Sequence, residues 1–276
     1  MKIKELFDYC VKQLTFSDSP EFESNCIFED LLNISKSKIF LNDSDVTDNQ
    51  LEILKDVIAR RQKGEPLQYI LGEWDFYDMT FNVGKGVLIP RPETEALVDF
   101  TLEKIKNLKS PIIYDLCAGS GCIGLTIANH RKDAKVFLLE KEDGALKYLK
   151  LNKEKYNCDN AFIIQGDIFK VDFSEHPQAD VILSNPPYIP ESEIEGLQKE
   201  VHFEPITALD GGVDGLDFYR CIAEKWVDNI KESGYIALEC GEEQSDHIIN
   251  LFNGKYSQKQ VIYDFNNIDR IVTFRI

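Results

Sequence analysis

The stretch that decides the fold is 112–124, IIYDLCAGSGCIG. Four of its first five residues are apolar, which predicts a buried strand, and a helical pattern follows the glycines. Gly119, Gly121 and Gly124 match the spacing G-x-G-x-x-G, which is typical of loops that bind nucleotides. Glu140 follows about 20 residues after Gly119, where an acid can bind ribose hydroxyls in such folds. The stretch therefore predicts a nucleoside site between a strand and a helix.

The rest of the C-terminal part repeats this alternation of strand and helix. Predicted strands lie at 112–116, 135–140, 161–165, 181–185 and 235–239, with helical segments between them. Apolar strands separated by helices imply parallel pairing with right-handed crossovers, so we expect a doubly wound α/β sheet. The end of the chain differs, because 260–263 and 271–274 are joined by a short turn at Asn266 and Asn267. We expect a hairpin there, with one antiparallel edge strand.

The first 72 residues predict a small helical domain. Apolar residues recur at helical spacing from Ile3 onward, and Ser19 followed by proline suits the start of a second helix. Thr47 and Gln50 form a capping box at the start of a third. Such a unit has little core of its own, so we expect it to dock a substrate or to cover it.

Residues 73–90 carry short β-like runs around Gly84 and Gly86, which predict a β-hairpin linker. The predicted organisation is then a helical domain at 1–72, the linker at 73–90 and an α/β catalytic domain at 91–276.

Charge and cysteine usage limit the function classes. The chain has 48 acidic and 31 basic residues, a net charge of −17, which disfavours general binding to a phosphate backbone. Its seven cysteines are scattered without a Cys-x-x-Cys pair, so we expect a reduced, cytoplasmic protein with no metal. The N-terminal stretch mixes charged with apolar residues, and no apolar run reaches membrane-spanning length; we therefore expect neither a signal peptide nor a membrane segment.

Two further loops follow predicted strands. Asp167 and Ile168 come after the third strand, where a carboxylate can accept from the amino group of adenine, although a helix cap would explain Asp167 equally well. The fourth strand ends in the tetrapeptide NPPY, residues 185–188.

The tetrapeptide suits a planar amino group as its ligand. The two prolines fix the backbone, so the side-chain oxygen of Asn185 and the carbonyl of Pro186 can act as paired acceptors beside the flat ring of Tyr188. A conjugated amino nitrogen gains positive charge when it attacks carbon, so both hydrogen bonds strengthen towards the transition state. That gain is on the order of 1 kcal/mol per bond, whereas alignment of two substrates contributes roughly 7–11 kcal/mol. We therefore expect the alignment of the two substrates to contribute more to the rate than the strengthening of the two hydrogen bonds.

These patterns leave alternatives open. The glycine fingerprint alone permits an NAD oxidoreductase, or a tight turn that packs helix on strand. The tetrapeptide fits adenine N6 or cytosine N4 as well as a carboxamide, and a scaffold without activity would carry the same loops.

Three flanking blocks carry a resemblance to a known family: RRQKGEPLQYILG at 60–72, LIPRPETE at 88–95 and EPITALDGGVDGL at 204–216. With the tetrapeptide, they make the chain resemble, over nearly its full length, the protein-(glutamine-N5) methyltransferases of peptide-chain release factors. These enzymes are a branch of the class I methyltransferases that use S-adenosylmethionine.

The resemblance implies a Rossmann-like sheet of seven strands whose final hairpin is its reversed edge. It also implies a reaction, methylation of the glutamine amide in the Gly-Gly-Gln loop of a release factor, with S-adenosylhomocysteine as the other product. N6-adenine or N4-cytosine methylation is the alternative. The expected partners are release factors, without stable nucleic-acid binding and without a membrane.

Site residues follow from the same resemblance. The methionine part of the cofactor would contact Cys117, Ala118, Gly119, Ser120 and Gly121, its ribose Glu140, and its adenine Asp167 and Ile168. Asn185, next to the cofactor, would hold the glutamine amide with Pro186, Pro187 and Tyr188, and Arg91 would border the pocket. Asn185, Pro186 and Tyr188 would be the catalytic residues. Two residues depart from common methyltransferase usage, since Cys117 stands where glycine is frequent and Glu140 where aspartate is frequent.

Overall fold

The protein is described by a computed structural model that covers residues 1–41, 44–173, 176–264 and 266–276. The chain divides into two compact units, a helical unit of residues 1–73 with 198–203, and an α/β unit of residues 74–197 with 204–276. Within the described ranges, no helix has both the length and the apolar character that crossing a bilayer would require.

The helical unit is built on buried apolar side chains such as Leu6, Phe28 and Leu54. The capping box is confirmed, because the Thr47 hydroxyl accepts from the Gln50 amide at 3.2 Å and Gln50 Oε1 accepts from the Thr47 amide at 3.0 Å. Five α-helices are described in this unit: α1 Ile3–Gln13, α2 Pro20–Cys26, α3 Lys36–Leu41, α4 Asp48–Gln62 and α5 Leu67–Leu71. Helix α2 starts at the expected place, although the Ser19 side chain makes no capping hydrogen bond.

A buried arginine connects three segments of the helical unit. Arg61, on α4, is only 1% exposed, and its guanidinium binds both carboxylate oxygens of Glu23 at 2.7 and 2.8 Å. It also donates to Glu200 Oε1 at 2.9 Å and to the carbonyl of Glu65 at 2.5 Å. The ion pair with Glu200 attaches residues 198–203 to the helices.

The α/β unit contains a two-stranded hairpin and a seven-stranded sheet. The hairpin consists of β1 Glu73–Phe76 and β2 Met79–Asn82. The remaining elements, in chain order, are α6 Glu95–Ile105, β3 Ile112–Leu116, α7 Cys122–His130, β4 Lys135–Glu140, α8 Asp143–Lys155, β5 Ala161–Gln165, β6 Ala179–Ser184, α9 Asp217–Cys221, β7 Ile230–Glu239, α10 Ser245–Leu251, β8 Gln258–Tyr263 and β9 Asp269–Arg275.

The sheet order is β5-β4-β3-β6-β7-β9-β8, with β3 to β7 parallel. The predicted doubly wound sheet is confirmed, and the predicted bounds of β3, β4 and β5 match those observed. Alternate residues of each strand point to opposite faces, so Ile113 packs in the core under α6 and α7 while Tyr114 packs in the core on the other side.

One prediction about the final hairpin was wrong in its detail. The reversed strand is β9, which lies between β7 and β8 and pairs antiparallel with both, so it is one place inside the edge. The difference follows from side-chain polarity. Strand β9 buries Ile271, Val272 and Phe274, whereas β8 begins with the exposed residues 258–260, and an exposed polar strand suits an edge.

One buried side chain connects the β1-β2 hairpin to the glycine-containing loop that follows β3. Asn152, on α8, accepts from the amide of Asn82 at 2.7 Å and donates to the carbonyl of Ser120 at 2.9 Å. The Tyr156 hydroxyl, one turn further on, bonds both backbone groups of Thr80 at 2.7 Å. The segment expected as a linker is thus largely part of the α/β unit.

We expect Arg61→Met to destabilise the helical unit strongly, because the change leaves the partly buried Glu23 carboxylate without its partner. Breaking a buried ion pair in this way costs about 3–5 kcal/mol. Arg60→Met is the matched control, since Arg60 is 37% exposed and also pairs with a glutamate. Urea unfolding followed by far-ultraviolet circular dichroism measures both variants, and equal losses of stability would contradict the importance of the buried pair.

Candidate active site

A cavity of about 270 Å³ opens at the edge of the sheet where the parallel strands end. Ligands of doubly wound sheets bind at this edge. Most predicted site residues line the cavity: Arg91, Cys117, Ala118, Gly119, Ser120, Glu140, Asp167, Ile168, Asn185 and Pro187. Three others, Gly121, Pro186 and Tyr188, lie beside lining residues without forming part of the wall themselves. The fold therefore brings loops distant in sequence around one space.

The glycine loop after β3 depends on left-handed backbone. Cys117, Gly119 and Gly121 have φ values of +60°, +58° and +81°. A Cβ on Gly121 would lie 2.3 Å from Leu149 Cδ1, so this glycine lets the loop pack against α8. Cys117 adopts the left-handed region with a side chain, at a cost of roughly 1–2 kcal/mol, which gives a physical reason for the frequent glycine at this position. Burial raises the pKa of its thiol, which stays neutral.

Glu140, at the end of β4, holds the glycine loop in place. It is 8% exposed, and its Oε2 accepts from the Gly119 amide at 2.7 Å. Its Oε1 accepts from the amides of Lys141 and Glu142 at 2.7 and 2.8 Å. Burial raises the pKa of this carboxyl, and the three N–H groups partly oppose the rise. Oε2 accepts only one of these three bonds and keeps a second lone pair, so the side chain can still accept a ribose hydroxyl.

Asp115 is a buried acid that the sequence pattern did not single out. It lies inside β3, one residue before the strand ends, and its Oδ2 accepts from the Gly124 amide at 2.9 Å. Burial raises its pKa to about 7. Its Oδ1 is buried and has no hydrogen-bond partner among the residues that the structure describes. The third glycine of the fingerprint is required here, since a Cβ on Gly124 would lie 2.8 Å from Asp115 Oδ2.

Asp167 combines the two roles that the sequence left open. Its Oδ1 accepts from the Phe169 amide at 3.0 Å and its carbonyl accepts from two following amides, as in a cap, while the residue also lines the cavity. Partial burial raises its pKa, but the Phe169 N–H and two lysines, Lys141 and Lys170 at 3.6 Å, outweigh that effect and lower it. Phe169 and Phe218 add apolar wall, with ring centroids 5.0 Å apart.

The tetrapeptide begins immediately after β6. Asn185 lines the cavity, and its Nδ2 donates to the hydroxyl of Thr94 at 3.2 Å. Pro186 and Pro187 are buried. Tyr188 is half-buried, its carbonyl accepts from Gln244 Nε2 at 2.9 Å, and burial raises the pKa of its phenol, which therefore stays neutral.

The cavity also has a wall that the site prediction did not include. Glu204 is buried, pairs with the Arg91 guanidinium and accepts from the Ile89 amide at 2.9 Å. This ion pair joins the segments 86–94 and 205–210, which both contribute lining residues. The motif blocks at 88–95 and 204–216 mark these two segments in the sequence. The distance between the blocks along the chain did not reveal that the segments contact each other.

Comparisons with known proteins cover both units. Residues 5–72 match the family model of the PrmC N-terminal domain, and residues 94–201 match that of the methyltransferase small domain.

Two relatives are release factor glutamine methyltransferases. The protein from Thermodesulfovibrio yellowstonii is 41% identical over 88% of this chain and 88% of its own length. The protein from Clostridium acetobutylicum is 37% identical over 87% of this chain and 86% of its own. Among solved structures, the hMettl16 catalytic domain bound to a MAT2A 3′UTR hairpin has a TM-score of 0.57 at 13% identity, covering 83% of this chain and 82% of that one. At this identity the likeness concerns the fold alone.

We expect Asp115→Asn to change how stability depends on pH. The pKa of Asp115 is raised from 3.8 to about 7 in the folded protein, so the folded state binds the extra proton. Its contribution to stability is complete below pH 3.8 and is lost as pH rises through 7. The variant lacks this loss, so its free energy of unfolding relative to the original protein should rise by about 4 kcal/mol between acid and mildly alkaline pH.

Urea titrations at several pH values measure the effect, with the exposed Asp159→Asn as control. Parallel pH curves for the original protein and Asp115→Asn would contradict the raised pKa.

Proposed function

The chain belongs to the family of release factor glutamine methyltransferases, and on that premise we propose that it methylates the side-chain amide nitrogen, N5, of the glutamine in the Gly-Gly-Gln loop of a release factor. The observation that carries this proposal is the position of Asn185, which faces the same cavity as the glycine loop and whose amide Nδ2 is engaged by Thr94. The relatives favour this substrate over adenine N6 or cytosine N4.

The residues on the glycine-loop side of the cavity fit S-adenosylmethionine. Residues 117–121 offer close backbone to its methionine part, Glu140 has acceptor capacity for ribose hydroxyls, and Asp167 with Ile168 provides an acceptor and an apolar contact for adenine. When bound, the cofactor supplies an electrophilic methyl group on a sulfonium sulfur and leaves as S-adenosylhomocysteine. The proposal includes no metal.

The tetrapeptide positions the amide. Because Asn185 Nδ2 donates to Thr94, its Oδ1 is left as the acceptor for one amide hydrogen, and the carbonyl of Pro186 accepts the other. The amide nitrogen gains positive charge as it attacks, so both bonds strengthen in the transition state. Tyr188 would place its flat ring beside the amide, and Arg91, held by Glu204, would border the entrance.

The partner is a protein. A net charge of −17 favours a release factor surface with complementary basic patches and disfavours stable binding to nucleic acid. The helical unit would dock this partner. Since the substrate acts in translation termination, we place the enzyme in the cytoplasm.

The direct test is incubation of the enzyme with labelled S-adenosylmethionine and, in separate reactions, a release factor, DNA and RNA. We expect label on the release factor alone, with mass spectrometry placing one added methylene on the loop glutamine. A release factor with that glutamine changed to glutamate is the control and should stay unlabelled. Label on DNA or RNA would overturn the proposal in favour of base methylation.

Asn185→Ala should abolish most turnover while leaving the cofactor site intact. Loss of a preorganised transition-state partner lowers kcat by roughly 100-fold or more. Calorimetry should give an affinity for S-adenosylhomocysteine within a few-fold of the original protein, because the glycine loop and Glu140 are unchanged. If turnover survives, the paired-acceptor mechanism is wrong.

A further inference from the structure

The pairing of β6 with β7 places Glu239 next to Asn185. Ser184 of β6 pairs with Leu238 of the parallel neighbour β7. Asn185 directly follows Ser184, and Glu239 directly follows Leu238 as the last residue of β7, so the two stand side by side at the carboxyl edge. Glu239 is 4% exposed and, unlike Glu140, does not line the cavity.

The Glu239 carboxylate lies near the side chains of Thr94 and Asn185, and both lower its pKa. Thr94 is itself 2% exposed, lines the cavity and accepts from Asn185 Nδ2 at 3.2 Å. We call Thr94, Asn185 and Glu239 the support cluster. It joins three distant segments: the turn Pro92–Thr94, the end of β6 and the end of β7.

The hydrogen-bonding capacity of these groups sets the direction of each contact. An ionised carboxylate only accepts, so it can interact with the Thr94 hydroxyl and the Asn185 amide only through their hydrogens. With its own hydrogen directed to Glu239, the Thr94 oxygen is an acceptor for Asn185 Nδ2, as observed. The hydrogen bond to Thr94 engages the nitrogen end of the Asn185 carboxamide, and an acceptor at Glu239 favours the same end, which leaves the oxygen end for the cavity.

The direction of these hydrogen bonds matters because the Asn185 carboxamide has nearly the same shape after rotation by half a turn. The rotated group would present NH₂ to the amino group of the substrate, and two donors would then face each other. Packing alone cannot distinguish the two orientations, whereas an acceptor placed behind the group can.

We propose that Glu239 is a positioning residue, which with Thr94 holds the Asn185 carboxamide so that Oδ1 faces the nitrogen to be methylated. This role rests on the proposed function. Glu239 touches neither substrate nor cofactor and acts through Asn185.

The cost of keeping Glu239 buried supports a role of this kind. Its Oε2 is buried and makes no hydrogen bond within the described part of the chain, so the carboxylate is only partly compensated. A buried carboxylate that is incompletely paired is unfavourable for stability.

The position also predicts a pH dependence. Burial raises the pKa of Glu239 to about 7, although Thr94 and Asn185 lower it. The charged and titratable groups that interact with it are Glu93, Arg270, Tyr188, Tyr219, Cys122 and Cys240. Above this pH the carboxylate only accepts, and below it the protonated group can donate and support the rotated carboxamide. Turnover should therefore rise as pH increases through about 7.

The experiment compares Glu239→Gln with the original enzyme, using a release factor and S-adenosylmethionine. The variant keeps the size of the side chain and removes its charge. We expect kcat about tenfold lower, as for loss of a charge-assisted bond, with KM and S-adenosylhomocysteine affinity unchanged. The rise of kcat through neutral pH should disappear. A wild-type kcat together with a wild-type pH profile would overturn the proposal.

Two further comparisons separate positioning from a structural effect. Thr94→Ser, which keeps the hydroxyl, should retain kcat, while Thr94→Val should lower it. If Glu239→Gln does not fold, the comparison of these two variants tests the positioning role. In the background of Asn185→Ala, Glu239→Gln should cause no further loss, because the residue acts through Asn185. Additive losses would overturn the proposal. Failure of the unmodified enzyme to label the release factor would instead contradict the proposed function.

Discussion

The parallel pairing of β3, β4, β5, β6 and β7 places the carboxyl ends of all five strands at one edge, and the loops of the candidate site begin there. Because register aligns residues of neighbouring strands, side chains far apart in sequence become neighbours at fixed spacing. Glu140 reaches the amide of Gly119 in this way, and Glu239 comes to stand beside Asn185. The chemistry of the site is therefore a consequence of strand order.

Three buried acidic side chains lie near this edge of the sheet. Asp115, Glu140 and Glu239 all have pKa values raised by burial. Two of them keep a buried oxygen without a hydrogen-bond partner among the described residues. Burial of this kind destabilises the folded chain, and the two large apolar cores on either face of the sheet offset it. Each acid is close to a loop or side chain of the candidate site, which fits a compromise between stability and activity.

Prediction from sequence succeeded where the signal is local. Apolar runs bounded by turn residues gave the correct bounds of β3, β4 and β5, and the capping box at Thr47 formed as expected. It succeeded less well where the outcome depends on competition between segments. The reversed strand lies inside the edge because β9 is more apolar than β8, and the ion pair between Glu200 and Arg61 joins residues too distant for any periodicity to connect.

The sequence by itself determined the class of sheet, the glycine loop and the tetrapeptide, since these depend on the period of apolar residues and on glycine and proline at particular positions. Family membership was also readable from the motif blocks. Only the tertiary structure decided which end of the Asn185 carboxamide is engaged by Thr94, and that Glu204 binds Arg91 beside the cavity. The physical reason is that a hydrogen bond between distant residues depends on distances of a few tenths of an ångström, which strand register and packing set and local sequence does not encode.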